Sequence, residues 1–289
     1  MANDPINQQP FQGFVRLSGA PEESVSALGP LSHLVGTWVG NQGWNMIAVP
    51  VTADDGSETF KLEVMRMTET ITFSPIGAPV PNKGYPEPTF VVGVQYELRV
   101  SDSETNQPLH IENGMWLLLD KDPIPGAPSI ARQSVIPHGD SLLALGTYSI
   151  KKGPPDIPDI NAVPFPGPKP EAGYTDAWIG PPVDGFSRIN PNQTLKDFIK
   201  QQDILETTTL FVSTENDGGI VNIPFIVRNA NATAFQCVFW IEKVKSATGD
   251  VFEQLQYSQQ TNLNFISQFG NPSQLIMWPH VNINTLVKQ

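Results

Sequence analysis

Four histidines are the residues of this 289-residue chain best suited to hold a metal or move a proton near neutral pH. His33 sits among leucines in Leu31-Ser32-His33-Leu34. His110 opens the run HIENGMWLLL, and His138 follows Pro137 in SVIPHGD. His280 stands in LIMWPHVNIN, Leu275 to Asn284, directly after Trp278 and Pro279 and ahead of an apolar segment. No pair has H-E-x-x-H spacing, and no carboxylates cluster around them in sequence. On spacing alone each is a hydrogen-bonded packing residue as readily as a ligand. Cys237 is the single cysteine, so an intrachain disulfide and the zinc sets that need two cysteines are excluded. A G-x-S-x-G elbow, a P-loop and a G-x-G-x-x-G after a strand are all missing, which leaves hydrolase and nucleotide-binding readings without a motif.

The elements that must position these residues are mostly strands. Phe60 to Met67 and Val92 to Val100 alternate apolar and polar side chains, the pattern of half-buried strands. Ser141 to Tyr148, the threonine-rich Glu206 to Val212, Ala234 to Val244 and Glu253 to Phe265 extend the series. About ten strands follow one another with few long helices between them, which predicts an all-β, antiparallel up-and-down barrel of calycin-like type. The 28 prolines and 23 glycines suit turns better than helices. Leu31, Leu34 and Val35 lie at helical spacing before Gly36, predicting a short plug helix. Residues 1–27 are polar and form an expected N-terminal arm, and residues 28–289 are expected to form one barrel domain.

An insertion over about residues 153–200 breaks the rhythm. Its PPDIPDINAVPFPGPKP and IGPPVDG runs cannot form a ladder, because proline lacks the N–H. After it, Thr194 could cap a short helix with Asp197 at N3 and with Leu195, Phe198 and Ile199 on one face. The segment is either a lid over the barrel mouth or a loop packed on the outside.

Charge narrows the partners. A net charge of −12 and a pI near 4.7 repel phosphate backbones and anionic membranes, so neither nucleic acid nor membrane is expected. No apolar run is long enough for a membrane span, and MANDPINQQP lacks the regions of a signal peptide, which predicts a soluble cytoplasmic protein. A homodimer is left open.

Leu31-Ser32-His33-Leu34-Val35-Gly36-Thr37-Trp38-Val39-Gly40 resembles the opening of the nitrobindin family, haem-binding β-barrels related to the C-terminal domain of THAP-type proteins. Pro108 to Gly114, Val135 to Tyr148 and Trp278-Pro279-His280-Val281 are similar, in order, to three further family segments. The chain departs from the family at Gly40-Asn41-Gln42-Gly43, one glycine short of G-x-G-x-G, and at His138, where the family has a distal glutamine. The resemblance implies haem b in the barrel, held through its iron by His280, with nitric oxide binding and peroxynitrite isomerisation. It implies that Trp278 and Met277 pack near the macrocycle, that His110 and His138 line the open face, and that the propionates meet either solvent or a few cations, for which Lys83, Arg132 and Lys151 are candidates. The alternatives are a metal-free, lipocalin-like carrier of a fatty acid or other apolar small molecule, and a barrel filled by its own side chains.

Overall fold

A computed structural model describes residues 25–77, 79–83, 89–119, 126–165, 174–268 and 270–289. The expected N-terminal arm lies outside the described residues as far as residue 24. Twelve strands follow in chain order: β1 (Gly36–Thr52), β2 (Glu58–Pro75), β3 (Val80–Asn82), β4 (Thr89–Asp102), β5 (Pro108–Leu118), β6 (Ile130–Val135), β7 (Asp140–Lys152), β8 (Asp203–Ser213), β9 (Gly219–Asn222), β10 (Asn231–Lys245), β11 (Val251–Gln268) and β12 (Asn271–Lys288). Three short helices, α1 (Tyr174–Ile179), α2 (Asn192–Ile199) and α3 (Pro224–Asn229), and a 3₁₀ turn, Gly29–Leu34, complete the described elements.

Ten of the strands close a ring in the order β1-β2-β4-β5-β6-β7-β8-β10-β11-β12, with β12 returning to β1. Every pairing is antiparallel. Closure leaves no open edge in this ring. The short strands β3 and β9 hang on β4 and β7. The expected all-β antiparallel barrel of ten strands is thus the observed fold, and the alternating stretches from Phe60 to Phe265 all lie within its strands.

Alternation sorts the walls. Phe235, Cys237, Phe239 and Ile241 of β10 face the interior core with Trp38, Trp116 and Leu255. The expected plug is the 3₁₀ turn: Leu31 and Leu34 are buried in this core, and the Leu34 carbonyl accepts a 2.7 Å bond from Trp38 Nε1. One end of the barrel is sealed in this way. β1 bulges between Gly40 and Gly43 against both neighbours. A Cβ on Gly40 would lie 2.4 Å from the Thr285 carbonyl oxygen, and one on Gly43 2.5 Å from Asn284 Cγ. The bulge therefore requires both glycines of the GNQG run.

The segment between β7 and β8 packs on the outer wall. Phe186 stacks on Trp44 at 4.9 Å, Phe165 pairs its backbone with Met277, and the Leu195 carbonyl accepts from Gln256 Nε2. A second core forms between the segment and the barrel from Met46, Trp240, Val281, Ile283, Trp178 and Leu195. The expected Thr194 cap is absent: the N-cap of α2 is Pro191, three residues earlier, and Thr194 Oγ1 donates to the Gly185 carbonyl.

Candidate functional site

The end of the barrel opposite the plug encloses a cavity of about 480 Å³, within the range of small-molecule sites. β12 contributes His280 and Asn282, and β1 contributes Asn45. Nearly across the ring, β5 contributes His110 and the β6–β7 turn His138. The antiparallel order brings together three histidines that lie far apart in sequence. The fourth, His33, lies at the plug end, where its Nδ1 is 2.8 Å from Glu253 Oε1.

His280 is held by Asn45. The Asn45 Oδ1 accepts from Asn282 Nδ2 at 2.7 Å and from His280 Nε2 at 2.8 Å. Accepting from both places the ring proton on Nε2 and the lone pair on Nδ1. Burial, with repulsion from His110 and His138, depresses the His280 pKa to about 3, so the imidazole is neutral at any physiological pH. Opposite, the His110 and His138 rings meet edge to face at 5.0 Å, and His110 Nε2 donates to Glu112 Oε2 at 3.1 Å. Burial, with repulsion from His110, also lowers the His138 pKa.

The cavity floor is charged. Arg132 is fully buried; its Nη2 donates to Glu112 Oε1 at 2.8 Å, its Nη1 to Gln259 and to Cys237 Sγ, and its Nε to Tyr96 Oη. Four aromatic rings lie 5.3 to 5.7 Å from its guanidinium carbon. Burial opposes ionisation of Glu112, but the Arg132 charge and the hydrogen bonds from His110 and Tyr96 outweigh it and hold the carboxyl well below the usual range. The same burial pushes the Cys237 thiol up to about 12, which makes it inert. Ile47, Val49, Met65, Leu98, Val100 and Leu109 supply the apolar wall. The mouth is edged by the β6–β7 turn and by Phe225 and Ile226 of α3, with Phe225 60% exposed.

Several expected neighbours lie elsewhere. Met277 is on the outward set of β12, its backbone bonded to Phe165. Trp278 is on the His280 set, but β12 pairs with β1 only as far as Met46–Val281. Beyond that point its indole stacks on Phe265 and contacts Phe60 and Trp178 in the second core, and Nε1 donates to the Phe265 carbonyl. Neither residue lines the cavity. Lys151 pairs with Asp156 at the surface, Lys83 is exposed away from the lining, and Arg132 is committed to Glu112. No described residue of 153–200 lines the cavity, and the described part of the segment is an outer buttress. The hollow is also less apolar than expected.

Asn45, Asn282 and Asp140 escaped the sequence reading. The signal was present in His280-Val281-Asn282-Ile283-Asn284, where polar side chains alternate with apolar ones. It is inverted relative to an ordinary surface strand, because Val281 and Ile283 face outward beneath the buttress. Among the described residues no group of three or more His, Cys, Asp or Glu could hold a bare metal ion, and no helix is long and apolar enough to cross a membrane.

Fold and site thus define a closed antiparallel barrel with a histidine-walled cavity at one end. Residues 27–154 match the family of the THAP4-like, heme-binding beta-barrel domain, the kind of domain the opening motif resembles. The match includes His110 and His138 and stops short of His280. The crystal structure of Rv2717c from M. tuberculosis is similar over 93% of this chain and 98% of its own, at 18% identity and a TM-score of 0.45. No curated protein matches the chain.

Proposed function

We propose that the protein binds haem in this cavity, with His280 as the axial ligand to iron. The observation that carries the reading is a neutral imidazole, fixed through one nitrogen by Asn45 and keeping a lone pair on the other, on the wall of a cavity of ligand size. Iron-ligating histidines use a neutral ring whose other N–H is held by an acceptor, and Asn45 supplies that acceptor. The apolar wall from Ile47 to Leu109 suits a flat hydrophobic ring system, so the residues present fit the group. The match of residues 27–154 to a heme-binding domain supports the same reading.

Bound haem would supply iron chemistry, nitric oxide binding and peroxynitrite isomerisation by likeness to the nitrobindin family. The chain contributes the rest. His280 anchors, the Arg132–Glu112 pair keeps the floor rigid, and His110 and His138 offer hydrogen bonds from the facing wall. The cavity lining offers no uncommitted lysine or arginine among its described residues, so the propionates must reach solvent at the mouth.

The test is titration of the purified protein with hemin. A Soret band is expected for the wild type and its loss or displacement for His280→Ala. A band that the substitution leaves unchanged would reject His280 as the ligand.

A further inference from the structure

Asp140 is the cavity group that haem binding at His280 leaves unused. It is the first residue of β7 and 8% exposed, and its Oδ1 is buried with no hydrogen-bond partner. Native proteins rarely leave a buried carboxylate oxygen unmatched. The residue sits where the β6–β7 turn meets α3: its carbonyl accepts from Ile136 N, and the Gly139 carbonyl accepts from Ile223 N, one residue before the helix. Ile136, Phe225 and Ile226 line the cavity there.

The charge of the lining is one-sided. Glu63 is paired with Lys61 at the rim, and Glu112 and Asp140 share one lining cation, Arg132, which is bonded to Glu112, Tyr96, Gln259 and Cys237. A carboxylate buried beside Asp140, away from solvent, would meet negative charge with no free cation among the described lining residues. A fatty acid is therefore a poor fit, whereas an ammonium group brings up to three donors and the opposite charge.

We propose that Asp140 anchors a second subsite in the cavity, one that takes the protonated amine of a small amphipathic molecule whose apolar body lies against Leu109, Ile136, Phe225 and Ile226. The subsite goes beyond haem binding at His280 and is tested on haem-free protein, so either can fail alone.

Burial first, and then the Glu112 charge, push the Asp140 carboxyl up to about 6, with His110 opposing. At pH 7.5 the group is mostly ionised. His138 in the same turn gains charge as pH falls and repels an amine too. His110 on β5 faces the same space, Glu112 attracts an amine, Glu63 is paired with Lys61, and Arg228 on α3 is exposed. The His138 contribution is isolated by repeating the pH series in Asp140→Asn.

Octylamine, 1-octanol and octanoate are compared by isothermal titration calorimetry at pH 7.5. Octylamine is expected to bind at least about tenfold tighter than octanoate. Asp140→Asn is expected to erase that preference and leave octanol binding unchanged. In the wild type, octylamine affinity is expected to fall between pH 7.5 and pH 5, more steeply than in Asp140→Asn. Octanoate binding as tightly as octylamine overturns the subsite, as does an amine affinity indifferent to the substitution or a wild-type pH dependence no steeper than the variant's.

Discussion

Asn45 and His280, 235 positions apart, are joined across the β1–β12 seam by a 2.8 Å hydrogen bond from the imidazole Nε2 to the amide oxygen. The same oxygen holds Asn282, its partner across the ladder. One carboxamide thereby fixes the orientation and the tautomer of the only histidine on that wall.

Removing this acceptor should free the ring. Asn45→Ala is expected to weaken haem binding by about 10- to 100-fold, the usual cost of losing a support behind a metal-ligating histidine. Asn45→Asp, which keeps an acceptor, should recover most of the loss. Hemin titration followed at the Soret band measures both.

The Arg132–Glu112 pair should be costly to break and cheap to replace. Arg132→Met leaves Glu112 charged, buried and unpaired, with an expected loss of about 3–5 kcal/mol. Adding Glu112→Gln removes the stranded charge and should return most of that stability. Urea denaturation midpoints for the two variants decide it, and equal loss in both would contradict the argument.

Glu242 predicts a pH dependence of stability. It is fully buried on the outer wall, and burial raises its carboxyl from 4.5 to about 8, partly offset by a hydrogen bond from Gln254. Between those values the folded chain holds a proton that the unfolded chain has released. Stability should fall as pH rises through that window and level off above it. Glu242→Gln should remove this slope, matching the wild type near pH 4 and exceeding it near pH 9 by a few kcal/mol. Thermal melts across pH provide the comparison.

Phe186 anchors the buttress to the outer wall at Trp44 and does not line the cavity. Phe186→Ala deletes a buried ring stacked on Trp44 and should cost about 3–5 kcal/mol. Because no described residue of 153–200 lines the cavity, hemin affinity of the folded variant should stay unchanged. A matched loss of affinity would mean that the segment governs the mouth after all.

Much of the barrel was legible because the local signal is strong. Alternation from Phe60 to Met67 and from Val92 to Val100 fixes both the strand type and the inward face, and a run of strands without long helices closes most economically as a ring. The plug was legible in Leu31, Leu34 and Gly36. Less could be seen of the cavity lining. His280, His110 and His138 stood out as rare side chains, but Asn45, Asn282 and Asp140 are ordinary residue types whose meaning comes from what faces them. Met277 was misjudged because the proline-rich segment gives β12 an apolar outer face, and the parity rule alone cannot tell a buried outside from a buried inside.

The sequence by itself determined the class of structure, since period-two patterning and turn residues act over a few positions and need no distant partner. It also nominated the histidines, since few other side chains combine a lone pair with a titration near neutrality. Only the tertiary structure decided which of them share a cavity, that Asn45 holds His280, that Arg132 is neutralised by Glu112 and that Asp140 is left unmatched. Those relations depend on ring closure and strand register, which bring residues more than two hundred positions apart within 3 Å. No local pattern encodes such contacts, because their energies exist only once the barrel has closed.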